Sequence, residues 1–393
     1  MKKILSIFMA LVIAVTGLSL SAFAAKEDVT PVIVVGGVGT RPYYKNLGED
    51  NEESVFPPTV DYASVISKAV VGIASAILTS DISKLSSAVS VILEEIFDGF
   101  MCDENGNSKY DNVSTPTYKE SLANYDFDYA NDVSEVAVAG TCADKIGAEN
   151  VYFYNYDWRI DPCGNASGLN TAVKKAKEET GSDKVILIPC SMGGVQTMAY
   201  LEEYGYNDVE KIIFMSSAHK GLLLVSELFG SNIEIDQKNI FMFFSKLLNV
   251  GNENTDNVFD FICSYLGSAP YLNKLFEKTN DFSLELSNET VYETMRKVFG
   301  TMPGMWAFVC DDYFDKDFDF MINGNMSEEL IAKIEHYHKN VGSKNNEILK
   351  EAAANGVAID VFSHYDRGSV PVTQMASAEG DTLIETVCTS IGA

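Results

Sequence analysis

The residues of this chain best spaced for chemistry are those around Ser191, in the run Val185-Ile186-Leu187-Ile188-Pro189-Cys190-Ser191-Met192-Gly193-Gly194. The apolar residues up to Ile188 predict a buried strand, and a helix is expected from about Gly194 to Tyr204. A serine on so sharp a strand-to-helix turn is lifted above the sheet edge, and small residues must flank it. Its hydroxyl then stands at a helix N-terminus, where free N–H groups and the helix dipole stabilise negative charge. The chemistry that needs such a serine is acyl transfer, in which a carbonyl oxygen becomes an oxyanion. The run departs from G-x-S-x-G, because Pro189 holds the first glycine position. The bland alternative is an ordinary turn serine; the strand–turn–helix placement argues against it.

A second loop supplies what a nucleophile needs beside it. Pro31-Val32-Ile33-Val34-Val35 reads as a buried strand closed by Gly36-Gly37-Val38-Gly39. Glycines let the backbone approach a substrate carbonyl closely. The oxyanion donors are then the N–H of Met192, after the nucleophile, and the N–H of Gly37 or Val38. A dinucleotide loop is a poor rival, since there is no G-x-G-x-x-G and no helix directly after the glycines.

These residues need a scaffold, and the remaining pattern predicts an α/β fold. A helix is expected from Asp132 to Ile146, a strand at Val151–Tyr154, a helix around Leu169–Glu179, and a strand at Ile212–Met215. Strand and helix alternating at these spacings mean parallel β-α-β units. Val60–Phe100 looks helical, while Asn46–Pro58 and Cys102–Tyr118 read as loops. After Gly221 the regularity stops, and Gly356–Phe362 resumes a strand. The stretch between, about 222–355, is read as a helical cap. Within it Ile240-Phe241-Met242-Phe243-Phe244 and the aromatic residues to Phe276 form an apolar patch. It has two readings, the cap's own core or transient contact with a lipid interface.

Several blocks together resemble the lecithin:cholesterol acyltransferase-like family of α/β-hydrolases. Pro31–Gly39 is similar to the family's opening strand and loop, with Val35 or Gly36 in place of a proline. Tyr156-Asp157-Trp158-Arg159 resembles its Tyr-Asp-Trp-Arg block, and Lys184–Gly193 its elbow strand. His219 and Gly221 stand where the family has Pro-His-x-Gly. Thr301-Met302-Pro303-Gly304-Met305-Trp306 resembles a cap segment, and Gly380-Asp381-Thr382-Leu383-Ile384 the Gly-Asp-Gly-Thr-Val block. The blocks span most of the chain in order, and most positions between them do not match. The resemblance implies an α/β-hydrolase fold and hydrolysis or transfer of a carboxylic ester, a lipid ester by expectation, without a cofactor. It implies Ser191 as nucleophile, Asp381 as the carboxylate that orients a histidine, and Asp157 and Arg159 as structural residues beside the site. The other class kept open is a catalytically impaired binding protein on the same fold.

One departure is serious. The fold's order is Ser…Asp…His, and no histidine follows Asp381. The four histidines are His219, His336, His338 and His364. His364, after a strand, is the best upstream substitute. The expectation favoured here is a histidine in a longer natural form, about 20–40 residues after Asp381, the reach of one more helix and strand.

Composition bounds the rest. Lys2-Lys3, an apolar run and Ala22-Phe23-Ala24-Ala25 read as a secretory signal peptide over 1–25, followed by one hydrolase domain over 26–393. The formal charge of −27 disfavours nucleic acid as a partner. Seven cysteines, none in paired metal-ligand spacing, predict no metal site and leave disulfide connectivity open.

Overall fold

The computed structural model describes residues 29–56, 79, 83–130, 132–230, 232, 234–236, 283–285, 289–322, 326–365, 367–368, 379–381 and 383–391. The proposed signal peptide and the aromatic patch of 240–276 lie outside the described residues, as does most of the first half of the helical stretch 60–100.

Five strands form the central sheet: β1 (Val32–Val35), β2 (Val151–Tyr154), β3 (Val185–Pro189), β4 (Val209–Met215) and β5 (Ala358–Phe362). Every pairing is parallel, and the order is β5-β4-β3-β1-β2. β1, β2 and β3 are buried at every position, which is why their sequences are continuous apolar runs rather than alternating ones. The alternation of the pleat still sorts side chains into two layers. Ile33, Val35, Tyr152, Tyr154, Val185 and Leu187 pack with Leu169, Val173 and Met198 on one face. Val32, Val34, Val151, Phe153, Ile186 and Ile188 pack with Val136, Val138 and Cys142 on the other. The result is three layers, helix–sheet–helix.

The covering helices are α1 (Ser134–Ile146), α2 (Pro162–Thr180) and α3 (Gly193–Tyr204). α2 starts earlier than the apolar period alone suggests. Asp161 caps it by accepting the Cys163 N–H at 3.0 Å, with Pro162 as first residue. Gly181, at φ +74°, ends it. The link from β1 to β2 carries α1 on one face of the sheet, and that from β2 to β3 carries α2 on the other. The chain therefore switches faces between β1 and β3, and the carboxyl ends of these two strands are where a sheet of this kind places a ligand crevice.

Two regions read as loops contain short strands. Tyr43–Lys45, Glu53–Phe56 and Val113–Ser114 form a small antiparallel sheet. Between β4 and β5 the described chain is mainly helical, with Leu223–Phe229, Glu289–Val298, Pro303–Trp306, Asp311–Met321, Glu328–Asn340 and Asn345–Ala354. The helix Ser83–Phe97 packs on Glu289–Val298, with Phe97 edge-on to Phe299 at 4.9 Å between ring centroids. Among the described residues no helix is long and apolar enough to cross a membrane.

Candidate functional site

β3 delivers Ser191 to the β1/β3 crevice. The Cys190 N–H donates to Val35 O at 3.0 Å and the Ser191 N–H to Met215 O at 3.3 Å, so the turn is fastened to both neighbouring strands. Ser191 itself has φ +51°. A non-glycine residue in the left-handed region carries a cost of order 1–3 kcal/mol that the surroundings must sustain. They do so through two further bonds: Gly193 N–H to Cys190 O at 2.7 Å, and Ala218 N–H to Ser191 O at 2.9 Å. The glycines after the serine are required by space. A Cβ on Gly193 would lie 2.3 Å from Val35 O, and one on Gly194 would lie 1.7 Å from Ser217 Oγ. The Ser191 side chain is partly exposed.

The β1 loop closes the other side. A Cβ on Gly37 would lie 2.7 Å from Ser191 Cβ, so only glycine lets this backbone pass the serine. The Gly37 N–H is spent within the loop, donating to Thr40 Oγ1 at 2.8 Å. The N–H groups of Val38 and Met192 have no hydrogen-bond partner among the described residues. Of the expected oxyanion donors these two are therefore the free ones. The Thr40 hydroxyl also lies 3.0 Å from Gly37 O and 3.2 Å from Glu135 Oε1. Glu135, in the first turn of α1, stands 3.1 Å from where a Gly37 Cβ would be, which puts a carboxylate next to the serine loop. Sequence reasoning missed it: 95 residues separate Thr40 from Glu135, and no local pattern joins them.

Asp157 and Arg159 brace the floor. Arg159 is fully buried and binds Asp157 through two parallel bonds, Nε to Oδ1 at 2.9 Å and Nη2 to Oδ2 at 2.6 Å. Its remaining donors reach Phe100 O at 2.8 Å and Ser108 Oγ at 3.1 Å. The guanidinium lies over the rings of Phe100 and Tyr43, at 4.5 and 4.8 Å from their centroids. The Tyr43 hydroxyl donates to Asp157 Oδ1 at 3.0 Å and accepts the Trp158 N–H at 3.0 Å. Gly304 N–H donates to Arg159 O at 2.9 Å, and a Gly304 Cβ would lie 3.0 Å from Met192 Cε. The Thr301–Trp306 segment thus sits between the Asp157–Arg159 block and the elbow.

Asp381 makes local hydrogen bonds. Its Oδ1 accepts the N–H groups of Leu383 and Ile384, at 3.0 and 2.8 Å, and caps its own turn. Among the described residues no hydrogen bond joins the Ser191 hydroxyl to Asp381 or to any imidazole. His364 Nδ1 meets the hydroxyl of Ser216 instead, and Ser216, at the end of β4, also has a positive φ, +41°. His336 pairs with Glu203 at 3.4 Å, while His338 stacks on Phe314 at 3.5 Å between ring centroids. Cys163, Glu203 and His336 bring three donor atoms within 4.8 Å of one another. That group lies by the far end of α3, about 18 Å along the helix from Ser191 at 1.5 Å per residue, and burial pushes the Cys163 thiol up.

His219 is buried, and burial pushes its pKa down to about 4. It is therefore neutral at pH 7. The unfolded chain takes up the proton near pH 6.5 and the folded one only near pH 4. Stability from this residue is present above pH 6.5 and is lost as pH falls to 4, by about 3 kcal/mol at most. His219→Phe should remove that slope. Urea midpoints of variant and wild type at pH 7 and pH 4.5 check it: the variant should gain stability relative to wild type toward acid, and no relative gain contradicts the assignment. The comparison also cancels Asp317, whose buried carboxyl is pushed up to about 7 by desolvation and gives the opposite slope.

No family model matches the chain. No curated protein matches it. Among solved structures, the crystal structure of the Tle4-Tli4 complex aligns at 14% identity over 51% of this chain and 48% of that one, with a TM-score of 0.22. The chain thus spans about half the length of that neighbour, and so loose a superposition carries no argument about fold family or chemistry.

Proposed function

We propose that this chain is a serine hydrolase of the α/β-hydrolase fold, acting on carboxylic esters through an acyl-enzyme on Ser191, and that it is secreted. One observation carries the reading. Ser191 is held at φ +51° on the β3–α3 turn, at the crevice where the sheet changes face, with the free N–H groups of Met192 and Val38 on the flanking turns. In this reading the Ser191 oxygen attacks the ester carbonyl, the two N–H groups receive the oxyanion, the alcohol leaves, and water releases the acid. The resemblance to the lecithin:cholesterol acyltransferase-like hydrolases, with its lipid-ester substrates and its role for Asp381, belongs to the same proposal.

Proton removal by a placed base is worth about 10²–10⁴ in rate. With no imidazole bonded to Ser191, turnover is expected to be slow and real. The test is hydrolysis of a short-chain p-nitrophenyl ester by the 393-residue chain and by Ser191→Ala. The variant should lose the enzymatic rate with its circular dichroism unchanged; a variant that keeps most of the rate removes Ser191 from the mechanism.

A second reading rests on the Ser216–His364 contact. A hydroxyl bonded to an imidazole is the geometry of an activated nucleophile, and Ser216 is strained as well. If Ser216→Ala abolishes turnover and Ser191→Ala spares it, that pair is the catalyst. A chain that hydrolyses nothing and labels at neither serine would be the impaired binding protein.

A further inference from the structure

Six cysteines lie among the described residues, all as thiols: Cys102, Cys142, Cys163, Cys190, Cys310 and Cys388. Among these six, the sulfurs of Cys310 and Cys388 meet within hydrogen-bonding distance. Their Sγ atoms are 3.9 Å apart, both residues are buried, and 78 residues of chain separate them. Their surroundings hold them in place. The Cys310 N–H donates to Ser226 Oγ at 2.9 Å, at the start of the helix Asp311–Met321. Cys388 lies in the short helix Thr386–Thr389. That helix is moored by Glu385, whose Oε2 accepts the Leu223 N–H at 3.0 Å, and by Thr386, whose hydroxyl donates to His364 O at 2.6 Å. A Cβ on Gly221 would lie 3.1 Å from Cys310 Sγ, so the bare glycine leaves room for the sulfurs.

We propose that Cys310 and Cys388 form a disulfide, closed by thiol–disulfide exchange with a low-molecular-weight disulfide such as oxidised glutathione, and that it ties the segment bearing Asp381 to the helical region between β4 and β5. The thiolate of Cys310 attacks one sulfur of the incoming disulfide and expels the first thiolate. Cys388 gives its proton to water and attacks the Cys310 sulfur of the mixed disulfide, expelling the second. Two protein sulfurs lose two electrons in total, the incoming disulfide gains them, and its two thiolates take up the two protons. Both sulfurs are buried in the folded chain, so closure belongs to folding, before the C-terminal segment docks.

The test uses the full chain refolded with and without oxidised glutathione. After denaturation without reduction, free thiols are alkylated and the digest is mapped by mass. The expected product joins the Cys310 and Cys388 peptides, two hydrogen masses below their sum, with Cys102, Cys142, Cys163 and Cys190 alkylated. Dithiothreitol should lower the Tm of the oxidised protein by about 5 °C, the scale for a loop of this length in a chain of this size. Cys310→Ala should be insensitive to dithiothreitol. Alkylation of both Cys310 and Cys388 in the oxidised protein overturns the proposal, as does a dithiothreitol effect that persists in Cys310→Ala.

Discussion

Arg159→Ala is expected to lower the free energy of unfolding by about 3–5 kcal/mol, as breaking a buried pair by removing one partner does. That is a large share of the ~5–15 kcal/mol that holds a domain folded. The wild-type guanidinium has no exposed surface, and its donors meet Asp157, Phe100 O and Ser108. Truncation strands the Asp157 carboxylate, orphans a buried carbonyl and empties the space between the Tyr43 and Phe100 rings. Arg159→Lys should recover only part of the loss, because an ammonium is a point charge that cannot make the parallel pair of bonds. The double variant Arg159→Met with Asp157→Leu should be less damaged than Arg159→Ala, since no charge is left without a partner. Urea unfolding of the three variants measures this. A cost below about 1 kcal/mol for Arg159→Ala, the range of an exposed pair, would show that the block is not a brace. The loop it supports carries Trp158 and touches the Gly304 segment beside Met192. Loss of the brace should therefore also loosen the elbow.

The local parts of this architecture were legible because they are written in contiguous residues. The apolar runs at Val32–Val35, Val151–Tyr154 and Val185–Pro189 are strands because burial on both faces demands an unbroken hydrophobic sequence. The helix bounds of α1 and α3 follow from Gly147 and Gly205, which end them. The sharp turn at Ser191 is legible from Gly193 and Gly194, since such a turn needs small residues beside the serine. The short strand Glu53–Phe56 reads as loop because it is half-exposed and has no period to betray it. Contacts between distant residues left no trace in the sequence. Thr40 with Glu135, Ser216 with His364, and Cys310 with Cys388 are each brought together by the sheet or by helix docking. Nothing in the residues near either partner names the other. The same limit applies to Gly37. Its type predicts a backbone that can approach a substrate carbonyl closely, but that its N–H turns back to Thr40, leaving Val38 free, depends on the loop's folded path.

The most direct measurement of the central claim is covalent capture of the nucleophile. A fluorophosphonate reacts only with a serine whose oxygen is nucleophilic and whose oxyanion site can hold the phosphonyl oxygen. The 393-residue chain, held with excess probe over a long time course, is digested and its adduct located by mass. Ser191→Ala and Ser216→Ala are run beside it. The adduct is expected on Ser191, absent from Ser191→Ala and retained in Ser216→Ala. An adduct on Ser216, or labelling of Ser191→Ala at the wild-type rate, would contradict the assignment of Ser191 as nucleophile.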